Sequence, residues 1–475
     1  MEQISGFPKN LAYNLKKLQG SIIKQKLKIS ADQTEYKPNQ IVRINFPIGR
    51  MIDFRSIVLY STNATTSGTG GIHFTRGGLH SLIQNLALTA NGRNLQTTND
   101  YNFVWNLLAD LEGYYSQEQG TKRITELFDP SLNYTYPNGS TAPTAVFQAN
   151  STTNDGAGTG DAKCFCVNNW LGFFNGSCST INTNDIGQLQ LAITLAPSSA
   201  LYYKTGATAP TDASYSLKEV FITLDTITFT NSLYQDLVKS QLEGGGLNVA
   251  YYDYIVQQLA SQDKSTSGIN FSTQINANSL DQVIVSFRDA DTTNPYDKIS
   301  ELLIGTATTG TLRSYNEIIY TPLTTSAGAG TSAIGTHGGF NQNRYFRRMG
   351  TGFDGSTFYI NSQPFTTSGS PIETFNNTLQ SLNYNNLDIS SGGIHAGCHS
   401  LGHFCRNYFA DVLSLENLSG DNNWWVSGLG GNGGTIQIAY NAKFKDNTEK
   451  VYPIIICRVS KILNIKIARA LDVME

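Results

Sequence analysis

Short apolar runs of strand length, separated by polar loops of Gly, Asn, Ser and Thr, recur along this chain. "IIKQKLKIS" (22–30), "IVRINF" (41–46), "FRSIVLYS" (54–61) and "LIQNLALTA" (82–90) come first. "QLQLAITLA" (188–196) and "VFITLDTITFT" (220–230) alternate in period two, the signature of a strand with one wet face. Between them lie polar segments; 137–163 and 204–215 are too long and too rich in Gly and Thr to be core, and read as surface loops. Helical spacing is scarce. "NDYNFVWNLLADLEGYY" (99–115) puts Phe103, Val104, Leu107, Leu108 and Leu111 on one face, with Asn99 or Asp100 as N-cap and Gly113 as stop. "NSLYQDLVKSQLEGGG" (231–246) is a second helix ended by three glycines.

After those glycines the pattern restarts. "YYDYIVQQLAS" (251–261) leads to "DQVIVSFRD" (281–289) much as "IIKQKLKIS" leads to "FRSIVLYS", and each half closes on a long apolar strand, at 220 and at 454. Two similar β domains account for this better than one. The expected division is an arm at 1–20, a first domain at 21–232, a linker helix and Gly-rich turn at 233–247, and a second domain at 248–475. Eight-stranded sandwiches close such strand sets without long naked edges, and periodicity alone leaves jelly rolls, immunoglobulin-like sandwiches and barrels open.

Composition sharpens this picture. Of the 475 residues, 40% are hydrophobic but only 15% are charged, so the polar surface is mostly Ser, Thr, Asn, Gln and Gly. That suits a β-rich protein that packs against copies of itself. The net charge of −3 provides no global basic field for wrapping nucleic acid. Locally, however, Lys9, Lys16, Lys17, Lys24, Lys26 and Lys28 face only Glu2 in the first 28 residues, either a solvated arm or one facing a polyanion or an anionic membrane. "MEQISGFPKNLAYNLKK" lacks the apolar stretch of a secretory signal, and no run is long enough to span a bilayer, so the six cysteines are expected to be reduced thiols.

The candidate chemistry concentrates in "GGIHAGCHSLGHFCRNY" (392–408), where His395, Cys398, His399, His403 and Cys405 fall within eleven residues. A zinc site needs four N or S ligands converging on one point. The spacing matches no compact finger pattern, and adjacent Cys398 and His399 would face opposite sides of a strand. These five are the metal candidates, and the expectation is no metal and no cofactor. "CFC" (164–166) with Cys178 has no nearby histidine. "GLGGNGG" (428–434) fits G-x-G-x-x-G but precedes the alternating "TIQIAYNAKF" rather than a helix, so it reads as a loop between strands. Nucleophile elbow, zincin and Walker motifs are absent, and Asp53, Asp110, Glu112, Asp225, Asp289, Asp291, Asp297 and Glu301 form no acid–base pair. Trp424 and Trp425 read as a loop anchor or subunit contact before a sugar platform. "NRYFRRMG" (343–350) suits an inter-subunit salt bridge before polyanion binding. Nothing here is an enzyme signature.

The C-terminal half carries a resemblance. "FCRNYFADVLSLENLSGDNNWWVSGLGGNGGTIQIAYNAKF" (404–444) resembles a segment of the double jelly-roll major capsid proteins of double-stranded DNA viruses, most like those of virophages and polinton-like viruses. "VYPIIICRVSKILNIKIARALDV" (451–473) is similar to their closing strands, with Ile462, Leu463, Asn464 and Ile465 near the terminal motif. "LALTANGRNLQTTNDYNFVWNLLADL" (86–111) is similar to the strand, turn and helix of their first jelly roll. The segment 392–405 departs from the family pattern.

This resemblance implies an all-β chain of two consecutive eight-stranded jelly rolls with a few short helices and long loops. It also implies a major capsid protein of the virion, assembled inside the host cell. Three copies would form a pseudo-hexagonal homotrimer, and neighbouring trimers would tile an icosahedral shell around double-stranded DNA. Penton and other minor capsid proteins are the further partners implied, with no small-molecule substrate. The basic arm, with Lys9, Lys16, Lys17 and Lys24, would line the inner face towards the genome or an internal membrane. Residues 392–408 would then be structural side chains or a trimer contact. Two rival readings remain: a minor capsid, spike or lectin-like binding sandwich using Trp424 and Trp425, and a metal-dependent β-sandwich enzyme built on the His/Cys segment.

Overall fold

The computed structural model describes residues 22–111, 163–229, 239–289, 353–381 and 410–474, apart from 69–71, 74–77, 177–179, 204–211, 241, 245, 264–267, 367–368, 417–427, 431–434, 445–449 and 467–468. In the first half these form β1 (Ile22–Ser30), β2 (Glu35–Tyr36), β3 (Ile41–Asn45), β4 (Met51–Ser67), β5 (Ile72–His73), β6 (Ile83–Ala90) and β7 (Arg93–Thr98). Helix α1 (Tyr101–Leu111) follows, then β8 (Lys163–Val167), β9 (Thr180–Asn182), the single turn α2 (Thr183–Ile186), β10 (Leu189–Leu195), β11 (Tyr202–Tyr203) and β12 (Ser214–Phe229). The second half has β13 (Leu247–Gln258), β14 (Gln262–Asp263), β15 (Ile269–Asn276), β16 (Leu280–Asp289), β17 (Phe353–Ile360) and β18 (Gln363–Pro364). Helix α3 (Pro371–Ser381), β19 (Asp411–Ser414), β20 (Thr435–Phe444), β21 (Lys450–Ile465) and β22 (Leu471–Met474) complete it.

Each half is a sandwich of two antiparallel sheets. The first pairs β1-β12-β4-β8 opposite β3-β10-β6-β7, and the second pairs β13-β21-β16-β19 opposite β15-β20-β17-β18. Counting the eight principal strands of each half, both orders are 1-8-3-6 and 2-7-4-5, which is the jelly roll. One unit repeats at constant spacing. The fourth strand, the fifth strand and the following helix begin at 83, 93 and 101 in the first half and at 353, 363 and 371 in the second, 270 positions later in each case. The hairpin turns agree as well. Asn91 and Gly92 have φ of 46° and 77°, and Asn361 and Ser362 have 50° and 65°, the paired positive φ that a two-residue turn between twisted strands demands.

The helices differ from their expected bounds. α1 starts at Tyr101, after Asp100 adopts φ 48° and offers its carbonyl to the N–H groups of Phe103 and Val104. Of the helix expected over 231–246, residues 239–240 and 242–243 are helical, while 231–238 lie outside the described residues. Residues 214–215, expected as the end of a loop, begin β12. α3 was absent from the pattern reading. Its start is a variant of the capping box with Pro371 at the first position: Ser370 Oγ accepts from the Glu373 N–H at 3.3 Å, and Glu373 Oε2 accepts from the N–H of Gly369, one residue before the cap, at 2.7 Å. Residues 428–430 lie in a loop, as read, while 431–434 are outside the described residues: Leu429 bridges Leu280 through both backbone groups ahead of β20. Gly428 has φ 61°, and a Cβ there would lie 2.4 Å from the Leu280 carbonyl oxygen.

Two cores follow from the alternation. One holds Val42, Ile44, Phe54, Leu59, Leu88, Trp105, Phe173, Phe174, Leu191 and Ile222, and continues into the second half through Tyr251, Ile284, Val412, Ile454 and Ile456. The other holds Phe271, Val283, Val285, Phe287, Phe358, Tyr440, Ile455, Cys457 and Val459. The sheet containing β21 is therefore buried on both faces, which explains why "PIIICRV" does not alternate.

Candidate functional site

Of the residues singled out in the sequence, His395, Cys398, His399, His403 and Cys405 lie outside the described residues, as do Cys178, Trp424, Trp425, residues 343–350, Lys9, Lys16 and Lys17. Among the described residues, no group of three or more His, Cys, Asp or Glu is placed to hold a metal. Lys24 belongs to a strand, not to an arm. Among the described residues β1 is the edge of its sheet, and Lys24, Lys26 and Lys28 share its outer face, a pattern that protects an edge from unwanted pairing. Lys24 Nζ is 2.9 Å from Asp225 Oδ2, Lys26 Nζ is 3.9 Å from Asp225 Oδ1, and Lys28 Nζ lies 3.8 Å above the Phe221 ring. The Lys24 side chain is 57% exposed, so this pairing is solvent-screened.

The side chains that the structure does bring together lie at the joint between the two sandwiches. The first half contributes β7 and the turn at Phe173; the second contributes the start of β13. Tyr251 is buried there: its hydroxyl donates to the Leu95 carbonyl at 2.7 Å, and its ring meets Phe173 edge-on at 4.9 Å between centroids. Gly176 admits this approach, since a Cβ at that position would sit 3.0 Å from the Tyr251 Cβ. Beside it Asp253 Oδ2 lies 3.0 Å from Lys461 Nζ, with the two side chains only 3% and 9% exposed. Thr98 Oγ1 donates to Asp253 Oδ1 at 3.4 Å, so the first sandwich supplies a ligand to an ion pair of the second. Burial pushes the Asp253 carboxyl above its usual range, while Lys461 and the N–H groups of Tyr254 and Thr97 pull it back.

Further polar contacts fix the joint. The buried Gln96 amide donates to Thr98 Oγ1 at 2.9 Å and to the Leu171 carbonyl at 3.2 Å, and accepts from the Phe173 N–H at 2.8 Å. At the far end Arg469 grips Asn184: Nε donates to its carbonyl at 2.8 Å and Nη2 to its Oδ1 at 2.9 Å. Within the second half, Arg458 Nη2 donates to Glu416 Oε2 at 2.6 Å, and its guanidinium lies 4.9 Å over the Tyr252 ring. Burial pushes the Tyr252 hydroxyl up to about 12.

A second buried polar cluster ties α3 to the second core. Asp411 Oδ2 accepts from Ser356 Oγ at 2.5 Å and from the Tyr440 hydroxyl at 2.8 Å, and Ser356 Oγ is 3.0 Å from Thr374 Oγ1 on α3. Thr378 on the same helix donates to the Ala410 carbonyl at 2.7 Å. Burial raises the Asp411 carboxyl to about 7, with Glu373 adding to the rise. Neither cluster has a nucleophile paired with a base at an open cleft; both act as fasteners. Pattern reading missed Asp253, Lys461 and Asp411, although the signal was present: each is the one charge in a mostly apolar or aromatic stretch of sequence, "VAYYDYIV", "VSKILNI" and "YFADVL".

No family model matches the chain, and no curated protein sequence matches it. Solved structures do. The PBCV-1 protein VP54, whose crystal structure was fitted into a cryo-EM reconstruction of the virophage Sputnik, aligns over 96% of this chain and 97% of its own, with TM-score 0.56 and 11% identity. A chain of the Sputnik virophage structure aligns over 95% of this chain and 88% of its own, with TM-score 0.55 and 10% identity. The Faustovirus major capsid protein aligns over 94% and 91%, with TM-score 0.52 and 10% identity. At such identities the likeness establishes the fold. The chain is a double jelly roll of the kind found in viral major capsid proteins.

Proposed function

We propose that this chain is a major capsid protein that assembles as a pseudo-hexagonal homotrimer and tiles an icosahedral shell around double-stranded DNA. The observation that carries this reading is the pair of topologically identical sandwiches joined by the Tyr251–Leu95 and Thr98–Asp253 hydrogen bonds. Two equivalent wedges per chain give three chains the outline of a hexagon, a shape that tiles a closed surface. Whole-length likeness to viral capsid structures supports it. The role is architectural, without catalysis, and the protein resides in the virion.

Its principal partner is itself, within the trimer and between trimers; penton and other minor capsid proteins complete the shell. The N-terminal segment with Lys9, Lys16 and Lys17 faces inward, towards genome or an internal membrane. Native mass spectrometry of the purified protein tests the reading directly. A metal-free species at three times 51.9 kDa is expected. A monomer carrying one zinc per chain would overturn it and make the 392–408 segment a metal centre.

A further inference from the structure

α1 and α3 hold the same place in their two sandwiches, 270 positions apart, but they are seated by different chemistry. The offset puts Ser356 at the position of Leu86, Thr374 at that of Val104 and Thr378 at that of Leu108. The strand registers extend the match. Tyr440 lies opposite Phe358 as Leu191 lies opposite Leu88. β13 ends with Gln258 opposite Ile454 as β1 ends with Ser30 opposite Phe221, so Val285 stands where Leu59 stands. Asp411, opposite Val285, therefore takes the place of Val167, opposite Leu59. Five side chains that are apolar in the first core are thus one carboxyl and four hydroxyls in the second, and all five of these are 3% exposed or less.

The five form one connected seam. Thr374 meets Ser356, and Ser356 and Tyr440 both bond Asp411 Oδ2. Thr378 Oγ1 donates to the Ala410 carbonyl and accepts from the Val412 N–H at 3.3 Å, so it grips the backbone on both sides of Asp411. α3 packs on β17 and β19, the strands that carry Ser356 and Asp411. Among its described side chains, the buried ones are these two threonines, one turn apart, while Ile372 is 68% exposed. α1 instead buries Phe103, Val104, Trp105, Leu107 and Leu108. Lifting α3 therefore breaks hydrogen bonds that water can replace, whereas lifting α1 exposes a large apolar face.

The titratable groups that act on Asp411 are Tyr440 from β20 and Glu373 from α3; β17 presents Ser356 and β16 presents Val285. Burial, with Glu373, opposes ionisation more strongly than the Ser356 and Tyr440 hydroxyls favour it. A seated helix thus holds Asp411 neutral, and an ionised carboxylate there would be a buried charge that only water could relieve. We propose that α3 is a proton-controlled latch: it stays seated on the second sandwich while Asp411 carries a proton, and lifting it admits water and releases that proton to solvent. α1, held by apolar side chains, does not loosen in this way. The latch belongs to the single chain and is independent of its assembly. With the seated carboxyl raised to about 7 and a solvated one near pH 4, opening becomes about tenfold easier per pH unit between these values and levels off above them.

Hydrogen exchange read by mass spectrometry on the full-length protein, from about pH 4.5 to about pH 8.5 and corrected for the intrinsic rate at each pH, tests the latch. Protection of the peptide spanning α3 is expected to fall about tenfold per unit up to about pH 6.5 and to level off above about pH 7. Protection of the peptide spanning α1 is expected not to fall up to about pH 6.5. Asp411→Asn, neutral and of the same shape, is expected to hold α3 protection constant across the range. Ser356→Ala removes one donor to the carboxylate, so its fall is expected to continue above about pH 7. Circular dichroism verifies that both variants fold. Flat protection of α3 in the wild type, or none at any pH, would overturn the latch. An equal fall in Asp411→Asn would also overturn it, as would a matching fall in α1, since the loosening would then belong to the whole chain. If Asp411→Asn does not fold, Ser356→Ala decides: a fall that still levels off near pH 7 overturns the role of Asp411.

Discussion

β12 and β21 hold the same place in their two sandwiches, each between the first and third strands of its sheet, yet they are written differently. In β12 Val220, Ile222 and Leu224 are buried while Phe221 and Thr223 between them are half-buried. In β21 Ile454, Ile455 and Ile456 are all fully buried. The unbroken run therefore does not mark a better strand. It marks a sheet covered twice, by its own partner sheet and by the cluster continuous with the first core. The two ion pairs repeat the lesson. Lys24–Asp225 lies on the open face of the first sandwich, and Lys461–Asp253 lies sealed in the joint.

The sharpest way to break this comparison is to remove one lysine from each pair. Lys461→Met leaves the Asp253 carboxylate buried without its cation, and is expected to cost about 3–5 kcal/mol in urea unfolding. Lys24→Met, whose partner can take up water, is expected to cost less than about 1 kcal/mol. Equal losses would mean that the joint is wet and that its ion pair is no fastener. The next largest contrast is between equivalent apolar and polar positions. Ile456→Ala opens a cavity in a fully buried site and is expected to cost about 2–5 kcal/mol. Thr223→Ala, at the matching place on β12, is expected to stay within about 0.5 kcal/mol.

Much of this arrangement was legible before any coordinates, and the reason is local. Strand-sized apolar runs between polar loops located β1, β3 and β6, and period-two alternation located β10 and β12 because each has one wet face. It said less about the second half, where β21 and β16 are buried on both sides and lose the signal. The short β18, and the α3 helix with Ile372 on its open side, escaped for a different reason. Their apolar residues do not line one buried stripe, so neither period appears; only the Ser370-Pro371-Ile372-Glu373 cap betrayed the helix. The restart of the pattern after residue 246 was visible, but the constant offset of 270 was not, because it is carried by strand, turn and helix positions rather than by identical residues. The joint was invisible for a physical reason: Asp253 and Lys461 come together only through the pairing of β13 with β21, and Thr98 reaches Asp253 from the first sandwich.

The cores themselves should answer acid in opposite directions. His80 in the first is fully buried, stacked on Trp105 at 3.8 Å, and burial holds its imidazole well below the ordinary value. The unfolded chain takes up that proton near pH 6.5 while the folded one refuses it, so stability present above pH 6.5 is lost as pH falls. Asp411 in the second is raised to about 7, so the folded chain keeps a proton that the unfolded chain releases near pH 4. Its contribution is fully present below pH 4 and is lost as pH rises through about 7, at about 1.4 kcal/mol per unit. Between pH 4 and 6.5 the two slopes oppose each other, and the wild type should unfold at a nearly constant urea midpoint. Asp411→Asn removes the second slope, so the variant should weaken steadily below pH 6.5. His80→Phe keeps the stack on Trp105 and removes the first slope, so that variant should strengthen as pH falls from 7 to 4. Parallel pH profiles for both variants would show that neither group keeps its proton state apart from solvent, and that the two cores are chemically alike.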